Sequence, residues 1–315
     1  MRYTAINDLP QIPPEIITAV NNRKLAVFIG AGVSRLVGCK SWGELASDIV
    51  DRCYRTRLAD GRMCINFREK ETLLRETDHK KTLTICFRLL KEAGLEDLFY
   101  KQLDEGLEAA NPSLETSDVY RQLYRFSALF ITTNVDEHFE RQSFRPDRIA
   151  FREDDFDYAK IDRDKLYHIH GCKRVKDTLV FTVPQYLKRY ANSPENIRFR
   201  QFLQRIFEHH VVLFLGYGMS EYEVLEYLIS KSSSQQEQPV RHFFLKGFYR
   251  GEDNIFRIEA AYYVNLGITL VPYAMDTLGY EQLYEVIKSW SREIAQTSSY
   301  TLDSFREIEE IVDEV

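Results

Sequence analysis

Paired cysteines are missing from this sequence of 315 residues. It has five cysteines, and no two of them are spaced as Cys-x-x-Cys. A tetra-cysteine zinc ribbon needs two such pairs, so that kind of site is excluded. A mixed site of Cys172 with His168 and His170 stays open, but we expect no bound metal. An odd, widely spaced set of cysteines is typical of reduced thiols in the cytosol.

Long apolar stretches are also absent. A run such as residues 211–215 is far too short to cross a bilayer. The first residues, MRYTAINDLPQIPPEII, contain no apolar run that follows a basic start, so we expect no signal peptide. We therefore expect a cytoplasmic protein that makes no contact with a membrane.

An excess of positive charge is missing as well. The chain has 42 lysines and arginines against 48 acidic residues, a net charge of −6, which argues against a surface that binds nucleic acid everywhere. Residues 166–205 form an exception, with eight basic and two acidic residues, or +6. This segment is either a helical surface balanced by acidic neighbours or a docking surface for an acidic partner or nucleic acid. Direct nucleic-acid binding therefore stays open.

Apolar and aromatic residues are plentiful, with 44% hydrophobic residues, 20 Phe and 19 Tyr, enough for a sizeable core. Six short apolar runs, typical of buried strands, are separated mostly by helical patterns. This alternation predicts an α/β fold, a Rossmann-like parallel sheet with helices on both faces. The predicted strands are residues 24–29, 127–131, 165–169, 211–215, 242–245 and 268–271, and the helical patterns between and after them are residues 184–190, 196–207, 221–232 and 280–297.

Residues 41–125, between the first two predicted strands, have helical spacing and no convincing strand. Because this segment is too long for one crossover, we interpret it as a helical subdomain inserted into a single domain of residues 1–315. Residues 300–315 carry apolar residues at three- and four-residue spacing with acidic residues between them, which predicts an amphipathic C-terminal helix. That helix packs either on its own domain or on another subunit or a partner protein, and we expect a homo-oligomer.

Two glycine-rich clusters directly follow predicted strands. Gly30-Ala31-Gly32-Val33-Ser34 lets the backbone approach a ligand, and the helix that follows would offer free N–H groups to a pyrophosphate. Where the dinucleotide fingerprint has its third glycine, this chain has Arg35. A plain strand-to-helix turn is the alternative. Gly216-Tyr217-Gly218-Met219-Ser220 repeats the arrangement and suits a ribose or adenine contact.

Two further clusters place polar side chains at strand ends. Thr132-Thr133-Asn134-Val135-Asp136 follows the second predicted strand, where ligands bind in open α/β sheets, although Asn or Asp could also cap a helix there. His168 and His170 close the third predicted strand and, by strand alternation, would share a face. His170 precedes Gly171 and is a candidate general base. We expect His168 to be structural.

The motifs GAGxS, TxNxD, HG and GxGxS each follow a separate apolar strand. In this order they resemble the NAD-binding core of sirtuins and, more closely, the sirtuin-like NAD hydrolases of bacterial antiphage defence. Thr182, Tyr186 and the segment 267–273 also resemble that branch. The resemblance implies hydrolysis of NAD to nicotinamide and ADP-ribose by a gated effector that depletes NAD. Because the zinc-ribbon cysteine pairs and a peptide-groove sequence are absent, peptide deacylation is disfavoured.

The resemblance also implies a role for each site residue. Asn134 would hold the ribose and a water, His170 would act as the base, and Asp136 would orient the nicotinamide carboxamide. The residues implied to cradle NAD are Gly30, Ala31, Gly32, Ser34, Thr133, Gly216, Gly218 and Ser220. Proteins of this kind often work as oligomers, or beside a co-encoded ATPase or helicase of the HerA type or a nuclease. The alternatives are a non-catalytic module that senses NAD or ADP-ribose for a partner, and a protein deacylase.

Overall fold

A parallel sheet forms the centre of the molecule. The computed structural model describes residues 5–108, 115–145, 147–217 and 242–313, with side chains up to residue 297. Its seven strands are all parallel and lie in the order β3-β4-β2-β1-β5-β6-β7. They span Leu25–Ile29 (β1), Leu129–Thr132 (β2), Ile149–Ala150 (β3), Leu166–His168 (β4), Val211–Leu215 (β5), His242–Phe248 (β6) and Ile268–Ala274 (β7). The predicted Rossmann-like α/β fold is confirmed.

The strand order reverses at β1, which pairs with β2 on one side and with β5 on the other. Val27 of β1 lies in register with Phe130 of β2 and with Leu213 of β5. All three side chains are buried, as expected for strands covered on both faces. In open α/β sheets the crevice beyond the carboxyl ends of the strands at such a reversal binds the ligand.

Helices cover both faces of this sheet. Leu283 and Trp290 of the C-terminal helix join the core on one face, and Phe202 and Phe256 pack into the core on the other. The helices are α1 (Pro14–Asn21), α2 (Ala31–Leu36), α3 (Trp42–Arg55), α4 (Phe67–Leu74), α5 (His79–Glu92), α6 (Glu96–Leu107), α7 (Val119–Tyr124), α8 (His138–Ser143), α9 (Val183–Tyr190), α10 (Ile197–His209), α11 (Asp253–Val264) and α12 (Gln282–Asp313).

Helices α3 to α6 pack around a core of their own between β1 and α7. The Ser41 hydroxyl begins α3 by accepting from the N–H of Glu44, whose carboxylate accepts from the N–H of Ser41. Val135 and Phe181, in loops beyond the strand ends, complete this core. The helical segment therefore lies over the carboxyl edge of the sheet. Helix α7, which the range 41–125 includes, packs into the sheet core instead.

The C-terminal helix α12 is continuous from Gln282 to Asp313, so residues 300–313 extend the helix predicted over 280–297. The Trp290 indole N–H donates to the carbonyl of Pro10 at 2.8 Å and holds the first half of α12 to the domain. The helix predicted over 221–232 lies outside the described residues, as do the side chains of 298–315. Within the described ranges, every helix is too short or too polar to cross a membrane.

Candidate active site

The glycine loop after β1 packs against the loop after β5. The Gly32 N–H donates to the carbonyl of Gly216 at 2.8 Å, and the Gly30 N–H donates to the carbonyl of Leu215 at 2.9 Å. A Cβ on Gly32 would lie 2.6 Å from the Gly216 oxygen, and Gly216 has a φ of +64°, where glycine is favoured. The two glycine-rich clusters thus meet, and contact between their backbones requires these two glycines. Gly218 and Ser220 lie outside the described residues.

Asn134 is fixed by hydrogen bonds from its side chain and its backbone. Its amide nitrogen donates to the carbonyl of Gly30 at 3.0 Å and to the hydroxyl of Ser34 at 2.7 Å. Its backbone N–H donates to the Thr132 hydroxyl at 2.9 Å. Because a carbonyl can only accept, the contact with Gly30 sets which way the amide points. The amide oxygen of Asn134 is therefore the group left for a ligand, and it can only accept a hydrogen bond.

Ser34 links the glycine cluster after β1 to the polar cluster after β2. Its hydroxyl donates to a carboxylate oxygen of Asp136 at 2.6 Å, accepts from Asn134, and lies 2.8 Å from the phenol of Tyr120. A hydroxyl has one hydrogen and two lone pairs, so the Tyr120 phenol must be the donor. Burial and the nearby Asp136 raise the pKa of Tyr120 well above its usual value, which keeps this proton in place. Tyr120, on α7, carries no sequence motif, and sequence analysis missed it.

Asp136 both supports a helix and faces the site. One carboxylate oxygen accepts from Ser34, and the other accepts from the backbone N–H of His138 at 3.2 Å, at the first residue of α8. Asp136 precedes the N-cap residue Glu137, so it supports the start of α8 without being its cap, and its role in a site stays a prediction. Each carboxylate oxygen keeps a second lone pair for a further donor.

A small cleft joins these residues to the helical segment. Its polar side consists of Ala31, Ser34, Thr133, Asn134 and Asp136. The other side is largely apolar, with the rings of Trp42 and Phe181 5.5 Å apart. The residues of this side are Cys39, Lys40, Trp42, Leu45, Leu107, Val135 and Phe181. The cleft therefore places hydrogen-bonding groups opposite a largely apolar, partly aromatic side.

His170 lies outside the lining of this cleft. The residue is 2% exposed, its Nε2 lies 2.8 Å from the Tyr190 hydroxyl, and Tyr186 packs edge-on against its ring. Burial, with Arg189 and Lys80 nearby, lowers the pKa of His170 to about 3. The imidazole is therefore neutral near pH 7 and has a nitrogen that can accept a proton.

His168 contacts a different helix from His170. Because β4 ends at His168, the strand alternation predicted to place both rings on one face does not extend to His170, and that prediction is wrong. The Nδ1 of His168 lies 2.7 Å from the carbonyl oxygen of Asn134, and its Nε2 lies 2.9 Å from the carboxylate of Glu140 on α8. Burial alone would lower the pKa of His168, but Glu140 raises it above the usual value.

No group of three or more His, Cys, Asp or Glu side chains is placed to hold a metal ion among the residues that the structure describes. Cys172, considered above with the two histidines, directs its sulfur to the carboxylate of Glu137 at 3.8 Å. Metal-independent activity stays a prediction.

Residues 128–265 match the family model of the SIR2-like domain. The match runs from the residue before β2 to the residue after α11. It therefore includes Asn134, Asp136, His168 and His170, but not the glycine loop after β1. It supports a sirtuin-like family, implies NAD binding and suggests NAD-dependent activity in general. No curated protein matches the chain.

Proposed function

We propose that this protein hydrolyses NAD to nicotinamide and ADP-ribose. The observation that carries the proposal is the hydrogen-bond network of Asn134, Ser34, Asp136 and Tyr120, beside a cleft within a SIR2-like fold. This network holds the Asn134 amide with its oxygen left for a ligand. A positioned acceptor of this kind is what a ribose hydroxyl or an attacking water requires.

The cleft suits the nicotinamide end of NAD. Trp42 and Phe181 offer aromatic faces to a flat ring, and the Asp136 carboxylate can accept from the carboxamide N–H groups. We assign the pyrophosphate and the adenosine half to the glycine loops, with Gly30, Ala31, Gly32, Thr133 and Gly216 and also Gly218 and Ser220. We assign Ser34 a holding role, because its hydroxyl is fully used within the protein.

The reaction breaks the bond between nicotinamide and ribose through an oxocarbenium-like transition state. The leaving nitrogen is already cationic, so nicotinamide departs neutral without a strong acid, unlike the usual two-carboxylate hydrolysis of sugars. Asn134 holds the ribose hydroxyl or the water by accepting from it. The water oxygen bonds to the ribose carbon, and its proton goes to His170.

His170 needs a higher pKa to act as this base near neutral pH. Burial, with Arg189 and Lys80, keeps the pKa of the imidazole low. A negative charge that bound substrate brings close to the imidazole would favour its charged form and raise the pKa of His170. Substrate binding would in this way activate the base.

The proposal includes a gated role in antiphage defence. An unregulated NAD hydrolase would drain a central cofactor, so activity must await a trigger. We infer a homo-oligomer whose activity a partner changes, with the C-terminal helix as the contact.

The test incubates the pure protein with NAD, with and without an acetylated peptide, and resolves nicotinamide, ADP-ribose and acetyl-ADP-ribose. Equal amounts of nicotinamide and ADP-ribose without peptide support hydrolysis. Acetyl-ADP-ribose that forms only with peptide identifies a deacylase. Bound NAD without any nicotinamide release identifies a sensing module, in which the Asn134 network serves recognition alone.

A further inference from the structure

His168 and Glu140 form a buried pair that the chemistry proposed above does not use. Their side chains are 1% and 5% exposed, and the Nε2 of His168 lies 2.9 Å from the carboxylate. Burying two charges is costly and does not by itself stabilise a fold. The pair lies directly behind Asn134, whose carbonyl oxygen is 2.7 Å from the Nδ1 of His168.

The close contact between the His168 ring and the Glu140 carboxylate indicates a proton that the pair shares. The Asn134 carbonyl can only accept, so the Nδ1 of His168 must carry a hydrogen. In a neutral imidazole the Nε2 then carries no hydrogen. Its lone pair would face a lone pair of the Glu140 carboxylate, which is repulsive. A separation of 2.9 Å between these two atoms therefore favours a second proton on the imidazole, which makes the contact an ion pair.

The bond from His168 also completes the restraint of Asn134. The backbone N–H of Asn134 is held by Thr132, and its amide nitrogen is held by Ser34 and Gly30. His168 holds the carbonyl oxygen, the last backbone group. Only the amide oxygen, which the proposed function assigns to ribose or water, is left for a ligand.

We propose that His168 and Glu140 are positioning residues that fix Asn134 for NAD cleavage, and that loss of their shared proton sets an upper pH limit on activity. This inference rests on the proposed function. A displacement of about 1 Å at a positioning group can cost on the order of a hundredfold in rate, so the restraint is large enough to matter.

The charges around the pair favour the proton on His168. Burial alone would raise the pKa of Glu140, but His168 and Arg174 lower it, whereas Glu140 and Asp136 raise that of His168. The proton is therefore present below the raised pKa of His168 and is lost as the pH rises through it. The charged or titratable groups around the pair are Asp136 and Glu137 before α8, and Cys172 and Arg174 after β4.

Substitutions of His168 test the positioning role. His168→Phe fills the space but removes the donor, and we expect kcat to fall about a hundredfold with the KM for NAD little changed. His168→Asn should recover much of kcat, because the Asn amide nitrogen takes the place of Nδ1. His242→Asn removes another buried imidazole, on β6, and serves as the matched control that leaves kcat unchanged.

Glu140→Gln tests the shared proton. The glutamine amide can donate to a neutral His168, which keeps the orientation of the ring but removes the charge-assisted bond. We expect kcat to be modestly lower than in the wild type. We also expect that kcat no longer decreases as the pH is raised into the alkaline range. A merely structural role would lower the temperature of unfolding without changing the shape of the pH profile.

Nuclear magnetic resonance of the His168 ring and of the Asn134 carbonyl carbon measures the protonation of the pair independently of enzyme activity. In the wild type we expect both ring nitrogens to be protonated at neutral pH, and in Glu140→Gln only one. If these protonation states are observed but no NAD is cleaved, the proposed function is wrong, whereas the shared proton of His168 and Glu140 is confirmed. A singly protonated wild-type ring at neutral pH, or a folded His168→Phe protein with full kcat, would overturn the inference.

Discussion

The amide nitrogen of Asn134 donates to the hydroxyl of Ser34 across 2.7 Å, joining two motifs that are 100 residues apart in the chain. Ser34 lies on α2, after β1, and Asn134 lies in the loop after the neighbouring strand β2. Through the same hydroxyl, Ser34 also contacts Asp136 and Tyr120. One side chain thus orients both polar residues that we assign to the reacting end of NAD.

Ser34→Ala should weaken both the fold and the activity. The change removes one hydrogen-bond partner each from the buried side chains of Asn134, Asp136 and Tyr120, which costs about 1–3 kcal/mol in the free energy of unfolding. It also frees the Asn134 amide to rotate, so NAD cleavage should fall. Urea unfolding and the product assay measure the two effects.

The matched control for this change is Ser291→Ala on α12. Its hydroxyl is also buried and donates to Gln122 at 3.0 Å, away from the lining of the cleft. We expect a loss of stability with NAD cleavage unchanged. Full NAD cleavage by Ser34→Ala would contradict the role of the network.

Much of the site could be predicted because its residues follow recognisable strands. Each predicted apolar run contains or overlaps a strand, and glycine or polar residues after a strand indicate its carboxyl end. Asn134, Asp136 and Ser34 were found in this way, and they line one cleft. The parallel arrangement brings such ends to one edge of the sheet, which is why local motifs could indicate a common site.

The rest of the site depends on contacts that local sequence does not encode. Tyr120, Trp42 and Phe181 have the character of core residues, and only the packing of α7 and of the helical segment brings them to the cleft. The direction of His170 could not be predicted because β4 ends two residues earlier. Strand β3 has only two residues, too few to show a pattern.

Gly32→Ala should disrupt the contact between the two glycine loops. The new Cβ would overlap the Tyr280 hydroxyl and lie 2.6 Å from the Gly216 carbonyl, where the backbone has little freedom to move. Overpacking of this kind costs about 1–3 kcal/mol, which urea unfolding measures.

Gly43→Ala on α3 provides the comparison for this glycine. Its nearest neighbour is the flexible end of His79, 3.3 Å from the new Cβ, and alanine is favoured over glycine in a helix. We expect Gly43→Ala to be neutral or stabilising. Equal stability of the two variants would show that the loop contact does not require glycine.

NAD cleavage should not depend on a metal ion. The sequence has no Cys-x-x-Cys pair and no two closely spaced histidines with a carboxylate, the usual ligand sets for zinc. We expect less than stoichiometric metal by elemental analysis and the same rate after treatment with a chelator. One zinc per chain, or activity that a chelator removes and zinc restores, would refute this prediction.

A chain that ends at Ser299 should lose both assembly and normal control. The truncation removes the last part of α12, while Tyr284 still donates to Asp118 at 2.7 Å and anchors the first part to α7. We expect light scattering to show an oligomer for the full chain and a smaller mass for the shortened one, with a changed rate of NAD cleavage. A monomeric full chain whose rate is unaffected by truncation would exclude this role.

The most direct test of the central claim measures nicotinamide and ADP-ribose released from NAD by the wild type, Asn134→Ala and His170→Ala. Circular dichroism checks that each variant is folded. We predict equal amounts of the two products from the wild type and a loss of about a hundredfold or more in each variant. A wild type that releases no nicotinamide, or a folded His170→Ala protein with full turnover, would contradict the account.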